Sequence, residues 1–170
     1  MTQIGEGIVT PEPDNPEKPC EREEDHVWEE IDDGISADDQ VSQLDKKISH
    51  LEGKPSRIEQ KRGDEFEKKA VIDNKNKLPI DKCSKKYKCI KCPKTQEVDI
   101  VGNGRVAEAK SRKSKNVQKK SAQCKRLKGI QSQHFNPDKK PLAKIDGDLD
   151  DAEESRTIYE RRGFDVEVVT

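Results

Sequence analysis

A chain of 170 residues with 29% hydrophobic and 41% charged side chains has room for one small-cored domain and a polar tail. Its formal net charge of −1 conceals three blocks, with −11 over residues 1–55, +16 over residues 56–145 and −6 over residues 146–170. The basic block suits a phosphate-backbone partner or a merely solvated lysine-rich surface, and no apolar run approaches the ~18 residues of a membrane span.

Residues 1–25 combine prolines and acids without periodicity and read as a disordered leader. From 36 to 52, Val41, Leu44, Ile48 and Leu51 recur at spacings of three and four, which predicts one short amphipathic helix, ended by Gly53 and Pro55. The acidic segment 1–55 is thus set apart from a domain over 56–170. Ser56 and Glu59 stand at capping-box spacing and open a second helix to about residue 74, with Ile58, Phe66, Ala70 and Val71 as its buried stripe. After the Leu78-Pro79 break, "KYKCI" and a hairpin supply three strands. A third helix over 112–131 buries Val117, Ser121, Cys124, Leu127 and Ile130. A fourth, near 149–162, is closed by Gly163, and "FDVEVV" alternates as a last strand. The fold class is α/β, with a mixed sheet of about four strands flanked by helices.

The hairpin is "EVDIVGNGRVAEAKS", residues 97–111. Asn103-Gly104 between alternating apolar residues predicts a two-residue type I′ turn. In that register Asp99 faces Glu108 and Glu97 faces Lys110, while Val98, Ile100, Ala107 and Ala109 form the opposite, apolar face. Like charges directly opposed disfavour a sheet by up to about 1 kcal/mol, and a divalent cation would offset this. The plainer alternative is an exposed face on which Lys110 pairs with Glu97 or Glu108 and binds nothing.

"RGDEFE" on the second helix, Asp99, Glu108-Ala-Lys110 on the next strand and Gln118 on the following helix together resemble the PD-(D/E)xK nuclease superfamily. The likeness is strongest to the nuclease domains at the ends of bacterial polymorphic toxins. Val98 stands where many members have proline. The resemblance implies a restriction-endonuclease-like fold and a nuclease that hydrolyses phosphodiesters, with DNA the expected substrate and RNA the alternative on the same scaffold. It implies Mg2+ or Mn2+ on Asp99 and Glu108, with Glu67 as a third carboxylate and the Ala109 carbonyl as a backbone ligand. Lys110 would orient water or offset charge, and Gln118 would position water or phosphate. A toxin role would bring an immunity protein as partner.

Cys83, Cys89 and Cys92 read C-x5-C-x2-C, a modest zinc signal that Cys124 or His134 would complete. Reduced thiols, or disulfides in an exported protein, are the competing readings, and Cys20 stands alone in the leader. A non-catalytic zinc-knuckle protein that only binds nucleic acid is the rival function. The start of the chain lacks the basic and apolar regions of a secretory signal. The expected location is therefore the cytoplasm, or a target cell's cytoplasm reached by a signal-independent route.

Overall fold

The computed structural model describes residues 20–77 and 80–170, so most of the expected disordered leader and the Leu78-Pro79 break lie outside it. Six strands form one sheet whose spatial order follows the chain: β1 (Trp28–Asp32), β2 (Lys82–Cys89), β3 (Thr95–Gly102), β4 (Arg105–Lys110), β5 (Leu142–Asp146) and β6 (Asp165–Val169). The first four pair antiparallel, and β4–β5 and β5–β6 pair parallel.

Helices cover both faces. On one lie α1 (Ala37–Leu51) and α2 (Ile58–Lys77), where Phe66, Ala70 and Val71 meet Ile100, Ala107 and Leu142. On the other lie α3 (Ser114–Gln118), α4 (Ser121–His134) and α5 (Ala152–Arg161), where Val117, Leu127, Ile130 and Tyr159 meet Val98, Val106 and Ile145. Ile58 is 63% exposed and takes no part in the stripe expected of it, and Ser121 is also exposed.

The sheet has six strands, not about four, because two carry atypical sequences. Along β1 only Trp28 is buried, as suits an edge strand. In β5, "LAKID" places a lysine mid-strand, and Lys144 is buried because its ammonium meets Asp73 at 3.1 Å and Glu167 at 2.7 Å. Residues 28–51, which the sequence places in an acidic segment ahead of the domain, supply the edge strand and a helix that packs on α2.

Local signals explain most boundaries. Ser36 caps α1 by accepting from the Asp39 N–H at 3.1 Å. A 3₁₀ turn, Pro55–Arg57, leads into α2 with proline at its first position. Gly163, at φ +87°, ends α5. The single helix expected over 112–131 is two. Arg162 donates to the Val117 and Gln118 carbonyls at 2.8 Å each, occupying oxygens that a continuous helix would use for its next turn.

Gly34 stands at φ +82°, where a Cβ would lie 2.2 Å from the Cys83 carbonyl oxygen, beside the bridge pairing Ile35 with Cys83. Gly34→Ala is therefore expected to lower the unfolding free energy by about 2–4 kcal/mol, through left-handed strain and a backbone clash. Urea titration of the purified variant measures this, and a loss below about 0.5 kcal/mol would contradict it.

Candidate functional site

Two groups of chemically active side chains emerge from the fold. The first is built on the β3–β4 hairpin. Asn103 and Gly104 both have positive φ, 56° and 75°, as the type I′ turn requires, and the register is the one expected: Gly102 with Arg105, Val101 with Val106, Ile100 with Ala107. The ladder then stops, so Asp99 and Glu108 do not form the next rung. Instead the Asp99 carboxylate accepts the Ala109 backbone N–H at 3.0 Å, and Lys110 Nζ lies 3.5 Å from the same oxygen.

A kink in β2 lies alongside. Cys83 pairs with Ile100 and Lys85 with Val98, and between them Ser84 adopts φ +57°. Its hydroxyl donates to Gln40 Oε1 at 3.1 Å, and Gln40 Nε2 donates to Glu67 Oε2 at 2.8 Å. Strand distortions of this kind re-aim side chains. Here the distortion ties α1, α2 and β2 together beside Asp99.

Electrostatics bind the group into one unit. Burial, reinforced by the Asp99 charge, lifts Glu67 to about 7. Burial and the same neighbour also raise Glu108. The Asp99 charge, opposed by burial, holds the Lys110 ammonium above its usual range. Asp64, one turn before Glu67 on α2, is raised by burial and senses Lys110. Carboxylates therefore outnumber cations in a desolvated place, which is costly unless protons or another cation compensate.

Glu108 shows where compensation is lacking. It is 3% exposed; Tyr159 donates its hydroxyl to Oε2 at 2.7 Å, but Oε1 is buried with no hydrogen-bond partner among the described residues. The Arg112 guanidinium, through Nη1, stands 3.8 Å away, too far for a hydrogen bond. Gln118 is exposed at the end of α3, and it is Gln123 that accepts from Arg112, at 3.4 Å.

The second group closes around sulfur. Cys20, Cys89 and Cys92 Sγ and a ring nitrogen of His26 all lie within 4.8 Å of one another. Tetrahedral zinc with bonds of about 2.3 Å to sulfur and 2.0–2.1 Å to nitrogen needs ligand separations of about 3.7 Å between sulfurs and 3.5 Å from sulfur to nitrogen. The observed separations are 3.7 Å for Cys20–Cys89 and 3.4 Å for Cys92–His26 Nδ1. The other ring nitrogen, Nε2, meets Glu23 Oε1 at 3.0 Å, the carboxylate–histidine support common behind metal-bound imidazoles. Glu23 in turn holds Arg126 at 3.3 Å, and Arg126 donates to Gln96 at 2.8 Å. Burial would raise the Cys89 thiol, but bonds from the Lys91 backbone and the His26 ring outweigh it and lower the thiol to about 6. The cluster thus fits a structural metal such as zinc. Among the described residues no set of three carboxylates closes in the same way.

Two of the four cysteines expected to hold zinc are elsewhere. Cys83 is buried in the α2 layer, with its thiol raised to about 12 by burial and the nearby Glu67 and Asp99. Cys124 packs in the opposite core, 3.5 Å from Arg162. His134 Nε2 meets the Trp28 carbonyl oxygen at 2.7 Å and fastens α4 to β1. The ligands missed were Cys20 and His26. Their C-x5-H spacing was a readable signal, hidden by assigning Cys20 to a disordered leader.

Protein purified without chelator is expected to carry about one zinc per chain by elemental analysis, as the four-ligand site requires. Cys89→Ser and Cys20→Ser should lose that metal and unfold at lower temperature, whereas Cys124→Ser should retain it. Equal zinc content in all three would contradict the assignment. No family model, curated protein or solved structure matches the chain.

Proposed function

We propose that the chain is a divalent-metal-dependent nuclease of the PD-(D/E)xK kind that hydrolyses phosphodiesters of nucleic acid, with DNA the first candidate. The observation that carries the reading is the unsatisfied, buried Glu108 Oε1 beside Asp99 and Lys110. A cation liganded by hard oxygens resolves that deficit better than any side chain in reach. Helix α2, the strands β3 and β4 and the helix that follows them also keep the element order on which the resemblance rests.

Asp99 and Glu108 would hold Mg2+ or Mn2+, with Glu67 as third carboxylate. Bound there, the ion would neutralise charge on the phosphate and acidify a water. The chain's own groups do the rest. Tyr159 fixes Glu108 through Oε2 and leaves Oε1 free for the ion. Gln40 orients Glu67 toward the ion by donating to its Oε2 at 2.8 Å. Lys110, kept charged by Asp99, offers its ammonium to negative charge developing at phosphorus. The Cys/His cluster would be structural, and it also favours the rival reading of a non-catalytic zinc-dependent nucleic-acid binder.

The zinc-loaded protein should nick or linearise plasmid when magnesium is added. Asp99→Ala and Lys110→Ala should each reduce the rate by about 100-fold or more while melting as cooperatively as the parent. Binding of plasmid by all three proteins without cutting would establish the rival, and cutting of transfer RNA alone would redirect the substrate to RNA.

The Glu67 shift adds a pH signature. Its carboxyl is raised from 4.5 to about 7 in the folded chain, so the folded state holds this proton more tightly than the unfolded one. The resulting stability is full below about pH 4.5 and is lost as pH rises through about 7, a contribution of at most about 3 kcal/mol. In magnesium-free buffer the melting temperature should fall between about pH 5 and pH 8 more steeply for the parent than for Glu67→Gln. Parallel pH profiles for the two proteins would remove Glu67 from the coupled group.

A further inference from the structure

A cavity of about 390 Å³ opens beside the carboxylates, between α2 and the segment that leads from β4 into α3. Arg62, Arg112, Lys113 and Lys115 line it together with the polar side chains of Ser111 and Asn116. Glu59 is the carboxylate on its wall and Leu149 the apolar residue. Acids stand close by: Asp148, Asp150 and Asp151 line an adjoining cavity with Arg62 and Lys113. Asp146 accepts the Ser111 hydroxyl at 2.7 Å, while Arg62 Nε stands 3.9 Å from it. Asp151 faces Lys113 but is already held by the Ser114 N–H at 2.8 Å. Arg112 joins the cavity to the carboxylates, since it lines the one and lies 3.8 Å from Glu108 in the other.

We propose that this cavity seats a backbone phosphate of the nucleic-acid strand, next to the phosphate presented to Asp99, Glu108 and Lys110. The proposal deepens the nuclease reading and rests on it for the identity of the strand. Guanidinium groups match phosphate oxygens as planar forks, lysines add point charge, and serine and asparagine supply neutral donors. The volume lies within the ~300–1,000 Å³ of small-ligand sites, enough for a phosphate with part of its sugar. No aromatic side chain lines the wall, so bases are not stacked there and the contact carries no sequence preference.

The test uses full-length, zinc-loaded protein carrying Asp99→Ala, without magnesium, and a fluorescein-labelled DNA duplex followed by anisotropy. Adding Arg62→Gln, Lys113→Gln and Lys115→Gln should weaken binding about tenfold or more and lower the slope of log affinity against log salt by about 2–3. A control triple, Lys86→Gln, Lys88→Gln and Lys94→Gln, removes equal charge from exposed positions on β2 and the turn after it. It should change affinity less than about twofold. Inorganic phosphate should compete for the parent site and not for the cavity triple. Equal weakening by the two triples, or no binding by the parent, overturns the proposal. Failure of the Asp99-intact protein to cut with magnesium while the cavity triple still loses affinity defeats the nuclease reading and leaves the phosphate seat standing. Cutting by the Asp99-intact cavity triple with unchanged KM does the reverse.

Discussion

The end of the β3–β4 ladder at Ile100 and Ala107 is the constraint from which the rest of the acidic group follows. Beyond that rung the two strands no longer satisfy one another, and a backbone donor at Ala109 would be left without a partner in the interior. Asp99 answers it with a carboxylate oxygen, which keeps a charged side chain buried and brings Lys110 to 3.5 Å. Glu108, displaced from direct opposition to Asp99, turns one oxygen to Tyr159 and leaves the other bare. One local failure of strand pairing thus gathers acids from β3 and β4 in the interior of the domain.

The sulfur cluster works differently, because its members come from two short segments far apart in sequence. Cys20 and His26 precede β1, while Cys89 and Cys92 close the end of β2 and the turn after it. A tetrahedral metal there would join the start of the described chain to the sheet, supported through Glu23 and Arg126 as far as Gln96 on β3. With so few apolar residues in the chain, a bonded tie of this kind adds stability that the core alone is poorly placed to supply. It would add to the bonds from Gln133 and His134 that hold the polar strand β1 at the sheet edge.

Much of this was legible in the residues. The Asn-Gly turn, the three rungs next to it and the apolar spacing of α1 and α4 follow from local rules, but the period of two fails beyond those rungs, where Val98 packs in the opposite core from Ile100, Ala107 and Ala109. What escaped reading depended on long-range pairing. The "LAKID" strand hides because its central lysine is neutralised by Asp73 and Glu167, 71 and 23 positions away. The third helix breaks because of Arg162, which lies well beyond it in the chain. Burial of Asp99 and Glu108 has a related cause: alternation within the hairpin marks a polar face, but helices cover both faces of the sheet, α2 on one and α5 on the other. The candidate metal ligands divide in the same way: Cys89 and Cys92 sit in a compact motif, whereas Cys20 and His26 offer only their C-x5-H spacing at the end of a segment that composition assigns to a leader.

A sheet whose spatial order repeats its chain order has a consequence for assembly. The β2–β3–β4 meander closes through short turns, so its contacts are near in sequence and carry a small loop-closure cost. The β1–β2, β4–β5 and β5–β6 joins each wait for intervening helices to come into position. By the link between contact distance and folding rate, the meander is the natural nucleus, and the flanking strands are added outward from it.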